Sequence, residues 1–117
     1  MSHYSEQYEE WHASRMSPGP AQHPTPITAH GFLEQAAREM GQRAATYDKP
    51  EGERSMGKTV AAFNALTGHK LTEQEGWQFM ELLKIARSNQ GGYRADSFVD
   101  GAAYAALAGE AAARERS

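Results

Sequence analysis

The sequence predicts an all-α fold, a compact bundle of about four helices over residues 29–117 behind a proline-rich N-terminal arm or tail over residues 1–28. Three observations predict it. From Ala29 onward apolar side chains recur at steps of three and four, no stretch of useful length alternates at a step of two, and cap and stop residues cut the chain into pieces of helical length.

The arm comes first. Met16 to Thr28 holds four of the five prolines, which remove backbone donors and bias their neighbours toward extended conformations. Ahead of it, Tyr4 to Ser14 could form a short helix grouping Tyr4, Tyr8, Trp11 and His12, but a helix of that length is marginal in water unless it docks. The segment is thus either a frayed tail or an arm that packs on its own domain or on a neighbouring subunit.

Helix one is expected from Ala29 to Thr46, capped by Thr28, with Phe32, Leu33, Ala36, Ala37, Met40 and Ala44 on its buried stripe. Tyr47-Asp48-Lys49-Pro50 ends it. Helix two is expected from Arg54 to Thr67, burying Met56, Val60, Phe63 and Leu66, with Gly68 as a left-handed stop; Gly57-Lys58-Thr59 is assigned to this helix rather than to a Walker phosphate loop. Helix three begins at Thr72, where Thr72-x-x-Glu75 spells a capping box, and ends near Asn89 before Gly91-Gly92. Helix four starts with Asp96 as N-cap and runs through alanines toward Arg114. Its small side chains suit a central helix or a subunit interface, or serve helix propensity alone.

Composition sets bounds on function. A net charge of -3 argues against a duplex nucleic-acid binder, which needs an evident basic face. With no cysteine there is no disulfide framework, thiolate zinc site or cysteine nucleophile, and a mean hydropathy of -0.74 leaves no membrane span. The acidic, polar start shows no signal peptide, so the cytoplasm is the expected location. A core of 89 residues at most is small, and a homo-oligomer is expected to supplement it. The five histidines are scattered over tail and loops without ligand spacing.

The chemistry-bearing residues fall on helices three and four. On helix three, Phe79, Leu82, Leu83 and Ala86 share one face, and Trp77, Met80, Lys84 and Arg87 form a second stripe beside it that is half apolar and half cationic, with Lys84 and Arg87 where core residues are expected. Either the two cations lay their stems on apolar surface and reach water, or they bind an anion, for which an Arg fork and a Lys point charge suit a phosphate. Asp100 shares a side with Ala103 and Leu107, so an inward carboxylate needs a cation, a donor or a metal. An internal salt bridge to Lys84 or Arg87 would satisfy it equally. Asp96 and Asp100 together could help hold Mg²⁺, with Glu81, Asp48 or Glu53 as the only evident recruits. The polar loop Tyr47 to Arg54 is of a kind that carries binding residues, or is an ordinary connection.

Tyr47-Asp48-Lys49-Pro50, Phe63-Asn64, Leu71-Thr72, the block Leu82 to Arg87 (LLKIAR) and the block from Asp96 to Glu110 (DSFVDGAAYAALAGE) together resemble a domain of unknown function common in tailed phages and prophages, over roughly Phe32 to Glu110. A Lys-x-x-Arg helix followed by an Asp-led helix is more remotely similar to phage nucleotide-modification-associated domains and to MazG-like all-α nucleoside triphosphate pyrophosphohydrolases. That remote likeness implies a nucleotide or other phosphorylated small molecule as ligand, sequestered or hydrolysed, with Lys84 and Arg87 on phosphate, Tyr47 or Tyr104 near the base, and Asp100 on a cation or hydroxyl. The chain departs from the MazG-like pattern of paired acids on two helices, since helix one offers only Glu34 and Glu39 on its polar side, and Asp48 replaces a glycine often seen after the loop tyrosine. The competing expectation is a non-enzymatic interaction protein that inhibits a host factor or defence component, its polar cluster being structural.

Overall fold

Thr28 fixes where the first helix begins: its Oγ1 accepts the Gly31 N–H at 3.0 Å and its carbonyl accepts the Phe32 N–H at 2.9 Å. The computed structural model describes residues 24–47 and 55–116, and within them the chain forms four α-helices and no strand. These are α1 (Ala29–Tyr47), α2 (Ser55–Thr67), α3 (Glu73–Ser88) and α4 (Ala95–Glu115). The expected all-α bundle is what the described residues build. The short N-terminal helix, most of the proline-rich segment, Asp48 and Glu53 lie outside them.

The boundaries follow local chemistry. Gly68 ends α2 at φ 79°, a conformation that costs a residue without Cβ little, and donates its N–H to the Asn64 carbonyl at 2.8 Å. The capping box of α3 is complete: Glu75 N–H reaches Thr72 Oγ1 at 3.1 Å and Thr72 N–H reaches Glu75 Oε1 at 2.9 Å. One boundary differs from expectation. The N-cap of α4 is Arg94, whose side chain makes no capping bond, and Asp96 sits inside the first turn, where its charge favours the positive end of the helix dipole.

α4 is the central helix. The antiparallel α3 packs along one side of it and α1 along another, while α2 lies against α3. Small side chains make this possible: Ala108 and Ala111 accept Trp77, and Ala36 of α1 and Val99 of α4 are both buried. Between α1 and α4, Phe32 meets Phe98 edge to face with ring centres 6.2 Å apart. Among the described residues no helix is long and apolar enough to cross a membrane.

Several expected core faces are turned. On α3 the buried side carries Gly76 and Trp77, with Met80, Leu83 and Lys84 half-buried beside them, whereas Phe79, Leu82 and Ala86 point outward. Lys84 therefore faces the core, as expected of its stripe, whereas Arg87 at the end of that stripe is exposed. On α2 only Val60 is buried and Met56 half-buried; Phe63 and Leu66 are exposed, Leu66 by 87%. On α1 the inward side includes Ala36, Phe32 and Met40 but also Gln35, Arg38 and Glu39, and Leu33 and Ala37 face solvent. Gln35 links that polar row, donating to Glu39 Oε2 at 2.9 Å and accepting from Arg38 at 2.7 Å.

Candidate functional site: the α3–α4 hairpin

The register of α3 against α4 brings Lys84 to Asp100. Lys84 Nζ lies 3.1 Å from Asp100 Oδ2, with only 15% and 29% of the two side chains exposed. Both helices contribute to this placement: Asp100 stands one turn into α4, and Gly101 beside it has no side chain, so the Lys84 Cβ comes within 3.9 Å of where one would be. At the far end of the hairpin Arg114 grips Glu73 through both nitrogens, at 3.2 and 3.1 Å. Its guanidinium pKa is raised above the ordinary arginine value, chiefly by that hydrogen bond to Glu73. Between the two ion pairs Trp77 stacks on Tyr104, centres 5.8 Å apart at 22°, and the Trp77 indole N–H is buried with no acceptor among the described residues.

Among the described side chains, the expected site residues do not gather at one place. Lys84 and Asp100 meet as a pair, which is the internal salt bridge allowed by the sequence. Arg87 is exposed, without an ion pair among the described residues, and on a different side of α3 from the groove described below. Tyr104 belongs to the core stack rather than to an open face. Asp96 is exposed in the first turn of α4. Tyr47 is the last residue of α1, and its side chain lies outside the described residues. Among the described residues no three acidic or histidine side chains come together as metal ligands, so Glu81 does not complete a set with Asp96 and Asp100. Glu34 and Glu39 likewise have separate partners, His30 at 3.3 Å and Gln35 at 2.9 Å.

A groove of about 270 Å³ opens between α3 and α4, on the side of Glu81, Ile85 and Ser88 from α3 and Ser97, Phe98, Gly101, Ala102 and Ala105 from α4. Lys84 forms part of its wall. Its floor is glycine and alanine, its walls are Ile85 and Phe98, and Tyr93 stacks on Phe98 at 6.0 Å where the connecting loop enters α4. Such a surface favours apolar contacts.

Two features escaped the sequence reading. Asn64 clamps the α2–α3 connection by exchanging two hydrogen bonds with the Leu71 backbone, each 2.9 Å, so the Asn and Leu of the family-like blocks are one structural unit. The other is Gly52 to Thr59, whose letters fit the G-x-x-x-x-G-K-T spacing of a phosphate-binding loop; spacing alone does not justify setting it aside. Structure does. The motif needs a strand leading into a loop that wraps the phosphate before the helix starts, whereas α2 is already helical from Ser55 and the described residues contain no strand.

Comparisons with curated proteins and with solved structures return no significant match. One family does match, across most of the described helices and both halves of the hairpin, over residues 32–112. The chain belongs to that family, which is described as a domain of unknown function, DUF6378.

Proposed function

We propose that the domain is a non-enzymatic interaction protein whose α3–α4 groove receives apolar side chains of a partner polypeptide. The observation that carries this reading is the fate of the two cations. Lys84 is satisfied by Asp100, and Arg87 stands away from the groove, so these two cations do not converge on a phosphate. A Gly101, Ala102 and Ala105 floor lets another backbone come close, and Ile85 and Phe98 offer walls for a side chain. At about 270 Å³ the groove falls just below the usual range for small-molecule pockets. The resemblance to phage and prophage proteins makes a host protein in the cytoplasm, a cellular factor or defence component, the partner to look for.

Binding of a nucleotide or related phosphorylated molecule, with or without Mg²⁺, is the second reading, and one observation favours it: Lys84 does reach the groove wall. A phosphate there would have to take Lys84 from Asp100, exchanging one anion for another, which reduces the gain.

The test is thermal melting against a nucleotide panel with Mg²⁺, beside capture experiments with the wild-type chain and Ala105→Arg. Expected are no nucleotide shift and one identified host protein that rebinds in purified form and is lost with Ala105→Arg while the melt is kept. A nucleotide at a hundred times its dissociation constant would add about 2.7 kcal/mol of stability. Such a shift, abolished by Lys84→Met, would overturn the interaction reading and install the second.

A further inference from the structure

The outward side of α3 is apolar along its middle and polar at its ends. Glu75, Phe79, Leu82, Ala86 and Asn89 follow one another at alternating steps of four and three, the spacing of a helix–helix seam, and every one of them is exposed. Phe79 is 69% exposed and Leu82 61%. The described helices that pack on α3 occupy its other sides, around Gly76 and Trp77. The helical period thus lines up an apolar strip that the other described helices leave uncovered.

We propose that this strip is a homodimer interface, in which α3 packs antiparallel on α3 of a second copy about a two-fold axis midway between Phe79 and Leu82. The charge pattern selects both the occupant and the direction. A parallel pairing would set Glu75 against its own copy within the seam, a like-charge contact. Antiparallel pairing sets Glu75 against the second copy's Ala86 and its neighbour Arg87, the exposed cation without an ion pair among the described residues. Glu75 serves its own capping box through Oε1, which leaves Oε2 for that guanidinium. The apolar middle is also self-complementary: Phe79 of each copy meets Leu82 of the other, and the two helix dipoles oppose. A helix of this length spans about 24 Å, so the contact sits at the small end of specific interfaces and dissociation in the micromolar range is expected. This inference does not rest on the groove reading, because the groove uses the Glu81, Ile85 and Ser88 side of α3.

Sedimentation equilibrium of the full chain from about 1 to several hundred micromolar tests it. The mass should rise from the 12.9 kDa of one chain to twice that value. Leu82→Glu should hold the protein monomeric throughout with an unchanged circular dichroism melt, since Leu82 is largely exposed, and Arg87→Glu should weaken association about five- to tenfold. Orientation is read by oxidation, which is clean because the chain has no cysteine. Glu75→Cys mixed with Ala86→Cys should give the mixed disulfide dimer. A chain that stays monomeric at every concentration, a dimer indifferent to Leu82→Glu, or Glu75→Cys crosslinking to itself in preference to Ala86→Cys would overturn the proposal.

Discussion

Val60 occupies the space a side chain on Gly76 would need: a Cβ there would stand 2.8 Å from Val60 Cγ1 and 2.5 Å from Met56 Sδ. α2 can lie on α3 because that position is glycine. Met56 has rotatable bonds and can yield; β-branched Val60 on a fixed helix cannot.

Gly76→Ala should therefore destabilise the chain by about 1 to 3 kcal/mol, although alanine in a helix is worth about 1 kcal/mol over glycine where space is free. Urea melts decide the sign. Adding Val60→Ala should make the Gly76→Ala step less costly than it is alone, since the clash is removed, and strict additivity would show that α2 does not pack this way.

Trp77 gives a second expectation, because it fills the space between Ala108 and Ala111 while leaving its indole N–H without an acceptor among the described residues. Trp77→Ala should cost about 3 to 5 kcal/mol through cavity formation. Trp77→Phe should cost clearly less, as it keeps the stack on Tyr104 and removes the unpaired donor. Equal losses in the two melts would mean that the indole nitrogen has a partner.

For the α2–α3 connection, Asn64→Ala should lose about 1 to 2 kcal/mol, because two hydrogen bonds to the Leu71 backbone disappear at once. Hydrogen exchange should show the Leu71 amide losing protection while the amides in the middle of α3 keep theirs. Protection unchanged at Leu71 would contradict the clamp.

How much of this was legible beforehand depended on whether the signal was local. The capping box at Thr72, the Thr28 cap and the left-handed Gly68 are written within four residues, and each appears where expected. Asp96 misled because a good capping residue was available one position inside a helix that starts at Ala95, with Arg94 at its cap. On α3 two stripes competed: Phe79, Leu82 and Ala86 outweigh Trp77, Met80 and Lys84 in hydrophobicity, yet which stripe meets α4 is set by the tertiary partners Ala108, Ala111 and Asp100. Of the candidate site, the Lys84–Asp100 alternative was readable from side and spacing. The groove was not, because it forms between helices whose register no local pattern reveals.

The two ion pairs of the hairpin should differ in weight. Arg114 is partly exposed and its bond to Glu73 is open to salt and water, so Arg114→Gln should change stability by less than about 1 kcal/mol, with the effect shrinking in high salt. A larger, salt-insensitive loss would place the Glu73–Arg114 clip on a level with the inner pair.

Lys84 and Asp100 carry the central claim, that this polar cluster is scaffold and not a ligand site. The most direct measurement is a double-mutant cycle of Lys84→Met and Asp100→Leu in urea melts. The expected result is a loss of about 2 to 4 kcal/mol for each single change, because the remaining charge is left partly buried without its partner, and a double variant that recovers at least about 1 kcal/mol of the summed loss. Single losses within about 0.5 kcal/mol that simply add in the double variant would contradict the scaffold account.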